Sequence, residues 1–324
     1  MAKRKKLGIL TSGGDAPGMN AAIRAVVRTA LYRDVKVLGF KRGFDGLLKG
    51  EFEEMGSRRV SDIIQRGGTV LLTARCQEMM TTQGQTQAAN VCKALGLDGL
   101  VVIGGNGSLQ GALALAKQDV SVFGIPGTID LDLDCTDYSI GFDTAVNTGI
   151  QAINKIRDTS SSHERCSIVE VMGRHAGHIA LWCGITSGAE EVFLPEVEKR
   201  LDEDVLIEQI FASRSKGKRR HLIIVAEGVG GTTKLARRIE EVTGIETRAT
   251  ILGHLQRGGT PTAVDRMYGS LMGHMAADLF VKGEQNRAIV YRDGRHTHMD
   301  LAEALSMTKA FDEDTYEMMK ILAI

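Results

Sequence analysis

An aspartate in PGTID (126–130) and an arginine in VMGRHAG (171–177) are the residues of this chain best suited to chemistry. Each segment follows a short apolar run. Asp130 offers a carboxylate and Arg174 a guanidinium, a combination suited to handing over a phosphoryl group, which needs a base at the acceptor hydroxyl and positive charge around the moving phosphate. Two further segments, LGILTSGGDAPGMN (7–20) and LVVIGGNGS (100–108), repeat the order of strand and then glycine-rich loop. SGGDAPG leads directly into a helical pattern from Met19, so its amides can face an anion at a helix N-terminus. Gly13, Gly14 and Gly18 permit close approach. Read alone, the same loop is equally well a tight structural turn, and a lone Asp or Arg on a loop is usually solvated.

These loops need rigid elements behind them. Apolar runs at 7–10, 100–103, 167–171 and 222–225 lack polar alternation, the pattern of central parallel strands covered on both faces. Met19, Ile23, Val26, Ala30 and Leu31 share one helical face while Arg24 and Arg28 share another, and Val146, Ile150, Ile153 and Ile156 repeat the spacing. This alternation predicts doubly wound sheets with ligands beyond the carboxyl ends of the strands. A chain of 324 residues is too long for one such domain, so two α/β lobes are expected.

Hydrophobic residues make up 43% of the chain, enough to fill two cores, and 40 basic residues cancel 40 acidic ones. That balance leaves no global electrostatic footprint for nucleic acid or an anionic membrane. The start MAKRKK is basic, but the LGIL behind it is too short for a signal-peptide core and no spanning segment follows, so a cytoplasmic protein is expected. Cys76, Cys92, Cys135, Cys166 and Cys183 show no CxxC or zinc-like spacing and are expected as free thiols.

SGGDAPGMNAAIR, PGTID, GFDTA, RDTSSSH, EVMGR, ETRATILGH and QRGG follow one another in the order found in the bacterial type of the ATP-dependent 6-phosphofructokinase family. The chain resembles that family along nearly its whole length. The resemblance implies an α/β fold of two Rossmann-like doubly wound lobes with central, mainly parallel sheets and an active site in the cleft between them. Residues 1–141 and 256–305 would form the ATP-binding lobe, and 142–255 with 306–324 the sugar-phosphate-binding lobe. The activity implied is transfer from Mg-ATP to the 1-hydroxyl of fructose 6-phosphate, giving fructose 1,6-bisphosphate and ADP, a step of glycolysis.

Carried over position by position, the resemblance makes Asp130 the base, with Thr128 bonded to the transferring group and Arg174 stabilising its charge. The Gly14 amide would lie near that group, and Arg75 would bridge the nucleotide and sugar phosphates. The nucleotide set is Gly14, Phe44, Arg75, Cys76, Gly105, Asn106, Gly107, Ser108 and Gly111. Phe44 stands where a tyrosine is common, and Cys76 and Met80 stand where the family often has an aromatic and an arginine. Glycine at 107 and 127, where pyrophosphate users typically carry aspartate and lysine, favours ATP. The acceptor set is Thr128, Asp130, Asp132, Arg165, Met172, Gly173, Arg174, Glu227, Arg248, His254 and Arg257, whose arginine forks match phosphate oxygens. Residues like Arg165 and Arg248 reach in from a neighbouring subunit, which implies a homotetramer with shared sites.

Arg24, Arg28, Arg157, Lys216, Lys218 and Arg220, with Gly188, Glu190 and an Arg58 adjacent to the family position now held by Ser57, resemble an effector site for ADP or phosphoenolpyruvate. Read alone, KGKRR is solvated charge, while Arg24 and Arg28 at helical i, i+4 spacing suit an anion.

The metal side departs from the family. GGDGS becomes GGNGS, so Asn106 replaces an acid, and TIDND becomes TIDLD, so Leu131 replaces an amide while Asp132 is kept. Magnesium would then depend on Asn106 and Asp132, with weaker retention expected. If 130–134 is extended, residues 130, 132 and 134 face one way and Asp134 can compensate; otherwise Asp134 is a solvated turn residue. Asn106, Leu131 and Met80 motivate a second reading, a catalytically weak paralogue acting as a sugar-phosphate-binding regulatory or assembly subunit. A kinase for another sugar phosphate is disfavoured by the complete acceptor set.

Overall fold

Strand and helix alternate along almost the entire chain in a computed structural model that describes residues 4–197, 203–308 and 310–323. Residues 1–3 of the basic start, and 198–202, 309 and 324 of the expected second lobe, lie outside the described residues. The first run is β1 (Lys6–Ser12), α1 (Met19–Tyr32), β2 (Lys36–Phe40), α2 (Gly43–Lys49), β3 (Phe52–Glu54), α3 (Thr82–Ala94), β4 (Gly99–Gly104), α4 (Asn106–Ala116) and β5 (Val122–Pro126). The second is α5 (Phe142–His163), β6 (Cys166–Val171), α6 (His178–Ser187), β7 (Glu191–Phe193), α7 (Glu203–Ser215), β8 (His221–Ala226), α8 (Thr232–Thr243) and β9 (Thr247–Ile251). It is followed by α9 (Ala263–Lys282), β10 (Arg287–Arg292), β11 (Arg295–Asp300), α10 (Leu301–Ser306) and α11 (Glu313–Leu322). Two compact units result: Met1–Thr144 with Arg257–Lys309, and Ala145–Gln256 with Ala310–Ile324.

The four apolar runs form β1, β4, β6 and β8, and each is parallel to its neighbours on both sides. In the first unit the sheet order is β11-β10-β5-β4-β1-β2-β3, parallel except for the edge strands β3 and β11. Helices α1 and α9 lie together on one face, and α2, α3, α4 and α10 cover the other. Met19, Ile23, Val26 and Ala30 of α1 are fully buried, Arg24 partly and Arg28 not at all. Each of the larger apolar side chains contributes roughly 1.5–3 kcal/mol by burial. Gly273 lets α9 press onto α1, since a Cβ there would fall 2.5 Å from the Ala22 carbonyl oxygen. The second unit has the order β7-β8-β6-β9, all parallel, with α7 and α8 packed on one face.

The chain leaves β1 toward β2 and leaves β4 toward β5, so the loops after β1 and β4 diverge at a switch point, where open α/β sheets bind ligands. Among the described residues no helix is long and apolar enough to cross a membrane. All five cysteines are free, and burial pushes the thiols of Cys92, Cys166 and Cys183 up to about 12 and that of Cys135 up to about 11.

Candidate active site

The first unit gathers three loops at the carboxyl ends of its central strands. After β1, Gly13 takes a left-handed φ of 85°, and its carbonyl accepts a bond from Thr73 Oγ1 at 2.7 Å. After β4, Asn106 opens α4 and is exposed, whereas Ser108 is buried; a Cβ on Gly13 would lie 3.2 Å from Ser108 Oγ. After β5, Thr128 and Asp130 are 7% and 5% exposed, and the Asp130 amide donates to Thr128 Oγ1 at 3.1 Å. Thr128 Oγ1 lies 3.4 Å from Asp130 Oδ2, and Ser139 Oγ donates to the Thr128 carbonyl at 2.7 Å.

Arg257 ties the loop after β1 to the loop after β5. Its Nη2 is 3.8 Å from Asp130 Oδ2 and its Nη1 donates to the Asp15 carbonyl at 3.2 Å. A Cβ on Gly14 would come within 2.7 Å of the same Nη1, so this glycine is where the loop meets the guanidinium. Gly18 serves packing rather than an approaching ligand, because its Cβ would strike Ile140 at 2.7 Å. Phe44 is buried against Gly111, at 2.9 Å from a Cβ placed there, while Arg75 is exposed and Cys76 is partly buried beside the core. Gly107 faces open space, and Gly127 is walled in by Ile103 and Met19.

The segment 130–134 is not the extended stretch that alternation requires. Leu131 sits in the left-handed region with φ 55°, and a turn follows at Asp134 and Cys135. Asp134 is exposed and does not join Asp130 and Asp132, which corrects the compensating role for it. Asp132 Oδ1 is buried without a hydrogen-bond partner, an oxygen that a cation or its water shell would satisfy. Among the described residues no group of three or more His, Cys, Asp or Glu side chains could hold a metal. One carboxylate oxygen and one exposed amide therefore fit a magnesium ion that keeps several waters and leans on phosphate.

In the second unit, the loop after β6 carries Met172, Gly173 and Arg174. Arg174 has φ 56° and an exposed side chain. Glu227, after β8, accepts bonds from the Gly173 and Arg174 amides, so it holds this loop. Glu196 accepts from the Gly177 amide at 2.6 Å, and the buried Gln256 accepts from the Met172 amide at 2.7 Å. His254 is exposed in the turn after β9.

Arg165 and Arg248 are elsewhere. Arg165 immediately precedes β6 and Arg248 is the second residue of β9, at the amino ends of strands whose carboxyl ends lead to Arg174 and His254. Six residues of β6, about 20 Å at ~3.3 Å per residue, separate Arg165 from the loop of Arg174, and Arg248 has three residues of β9 beyond it. Within one copy of this unit the acceptor set is thus split. Both arginines pair with Glu246, Arg165 at 2.6 Å.

Of the expected effector residues, Arg157 donates to the Ser187 carbonyl at 2.5 Å beside Gly188, and Lys218 pairs with Glu190 at 3.0 Å. Glu190 also accepts from the Leu222 amide, so its carboxylate is already engaged. Arg220 donates to Ser161, and Lys216 is exposed. Arg24, Arg28 and Arg58 belong to the other unit.

Glu196, Glu246, Gln256 and Asp265 escaped sequence reasoning. Glu246 and Gln256 lie inside ETRATILGH and QRGG, where Glu246 holds two arginines and Gln256 the backbone at Met172 and Ala145.

The chain matches the family described as phosphofructokinase over residues 6–280. An ATP-dependent 6-phosphofructokinase of Clostridium botulinum is 54% identical over 319 residues, covering 98% of this chain and 99% of that protein. One of Clostridium tetani is 56% identical with the same coverage. The solved phosphofructokinase of Saccharomyces cerevisiae superimposes with a TM-score of 0.87 at 36% identity; it covers 99% of this chain, which spans 48% of that longer one. The chain belongs to the phosphofructokinase family.

Proposed function

We propose that the protein transfers the terminal phosphoryl group of Mg-ATP to the 1-hydroxyl of fructose 6-phosphate, releasing fructose 1,6-bisphosphate and ADP. The observation that carries this reading is 54% identity, along 98% of the chain, to a protein named for ATP-dependent 6-phosphofructokinase activity. Asp130 takes the proton of the 1-hydroxyl as its oxygen bonds to the γ-phosphorus and the bond to the β–γ bridging oxygen breaks. Thr128, fixed by its bond to the Asp130 amide, faces the moving group, and Arg174 offsets the charge that develops there. Gly14, Arg75 and the residues 105–108 hold the nucleotide, with Phe44 and Gly111 shaping its wall. Asn106 and Asp132 would hold the magnesium of Mg-ATP, which when bound would offset phosphate charge. The open space at Gly107 supports a nucleotide over pyrophosphate as donor.

A homotetramer with shared sites suits the split acceptor set, because Arg165 and Arg248 can serve a neighbouring copy from the far ends of their strands. Arg157, Gly188, Lys218 and Arg220, with Arg24, Arg28, Arg58, Lys216 and Glu190, suit a phosphorylated effector such as ADP or phosphoenolpyruvate. A cytoplasmic enzyme of glycolysis is consistent with five free thiols.

The test is ADP release by the purified chain with fructose 6-phosphate, ATP and saturating magnesium. Robust turnover is expected. No turnover with fructose 6-phosphate still bound would favour the regulatory-subunit reading, for which Asn106 and the left-handed Leu131 are the supporting observations.

A further inference from the structure

Glu246 stands one residue before β9 and directly across from Arg165, since Cys166 pairs with Thr247 and the Cys166 amide donates to the Glu246 carbonyl at 3.0 Å. Strand alternation puts Arg248 on the same face as Glu246. One carboxylate therefore meets two guanidiniums: Arg165, whose side chain is 24% exposed, and Arg248, at 62%. The arginines hold the Glu246 carboxyl below the usual carboxylate range, Arg165 foremost. Of the groups named in this cluster, Glu246 is the one anion and both its oxygens are taken up.

We propose that Glu246 is an internal counter-anion that occupies Arg165 and Arg248 until the phosphate of the acceptor displaces it. This rests on the reading of those arginines as the acceptor's phosphate site. A phosphate dianion and a carboxylate compete for the same N–H groups and repel each other, so whatever binds there must first break the two ion pairs. Glu246 thus sets how much fructose 6-phosphate is needed, acting through the arginines rather than on the reacting atoms.

The experiment compares Glu246→Gln with Glu246→Ala in the full-length protein, measuring KM for fructose 6-phosphate separately from kcat, with Arg248→Ala and the double variant alongside. Exposed ion pairs are weak individually, so losing two is expected to lower KM about fivefold, a larger change than any in kcat. The gain should shrink when Arg248 is already absent. An unchanged KM in both variants, or a raised one, overturns the proposal; a raised KM would mean that Glu246 orients the arginines instead. Glu246→Gln keeps the side-chain shape, so a fold lost only in Glu246→Ala leaves the first comparison intact. If Arg248→Ala leaves KM unchanged, the phosphate-site reading fails on its own, whatever Glu246 does.

Discussion

At Asp130 the carboxylate of the proposed base has Thr128 Oγ1 at 3.4 Å and Arg257 Nη2 at 3.8 Å beside it. Asn106 offers an amide oxygen where a carboxylate would place a full charge, and one transition-state electrostatic contact is worth up to ~10²–10³ in rate. Asn106→Asp is therefore expected to raise turnover by as much as ~10² or to lower the magnesium requirement; steady-state rates across a magnesium titration decide it, and no change in either removes position 106 as the limit. Cys76 allows a second check. It is the one cysteine that is not fully buried, and desolvation raises its thiol above the ordinary value. Because the thiolate is the reactive form, labelling by a disulfide reagent should be slow at neutral pH and accelerate about tenfold per pH unit until the raised pKa is passed. ATP should protect it. Equal labelling with and without ATP would take Cys76 out of the nucleotide set. Asp130, Thr128 and Arg174 could be picked out from sequence because PGTID carries the first two and VMGRHAG the third, each segment directly after an apolar run. Glu246 and Glu196 could not, since Arg165 and the Gly177 amide lie far from them in sequence and nothing local marks a carboxylate as a clasp.

Elements impose their own constraints on these residues. Leu131 has φ 55°, a conformation that costs an L-residue with a branched side chain roughly 1–2 kcal/mol. Leu131→Gly or Leu131→Asn should relieve about 1 kcal/mol of it, seen as a higher denaturant midpoint with unchanged slope. A lower midpoint would show that Leu131 packing outweighs the backbone. Asp265, in the first turn of α9, is fully buried and accepts from Tyr138 Oη at 2.6 Å, from the Gly141 amide at 2.6 Å and from the Thr144 amide at 2.8 Å, with Thr144 Oγ1 also bonded. It ties the start of α9 to the start of α5, directly after the loop that carries Asp130. Asp265→Ala strands four buried donors and is expected to cost about 3 kcal/mol or more; a loss under 1 kcal/mol in denaturant unfolding would show that the donors find other partners. Strands β1, β4, β6 and β8 were legible because short continuous apolar runs that stop at turn or loop residues suit a fully buried strand. The turn at Leu131 was not, since alternation assumes an extended backbone and the sequence carries no glycine or asparagine there to announce the reversal.

At the scale of the molecule, the question is which copies of the chain complete one site. Asp130 belongs to the first unit; Arg174 and Glu227 lie at the carboxyl ends of β6 and β8, and Arg248 at the amino end of β9. A strand is too rigid to fold Arg248 back onto the loops at its other end, which supports the proposal that a second copy supplies it. Motif order alone lists these residues as one set; the resemblance assigns Arg165 and Arg248 to a neighbouring subunit, and both lie at the amino ends of β6 and β9. The division makes a quantitative prediction. Asp130→Ala removes the proposed base and Arg248→Ala the proposed phosphate contact, so at low fructose 6-phosphate each variant alone should be nearly inactive. In a homo-oligomer that pairs Asp130 of one copy with Arg248 of its neighbour, equal co-refolding of the two variants restores both residues in about a quarter of the sites. Turnover near that fraction is expected from the mixture. If hybrids form, as mass analysis of tagged chains can establish, and activity does not return, both residues serve the same copy and the shared-site arrangement is wrong.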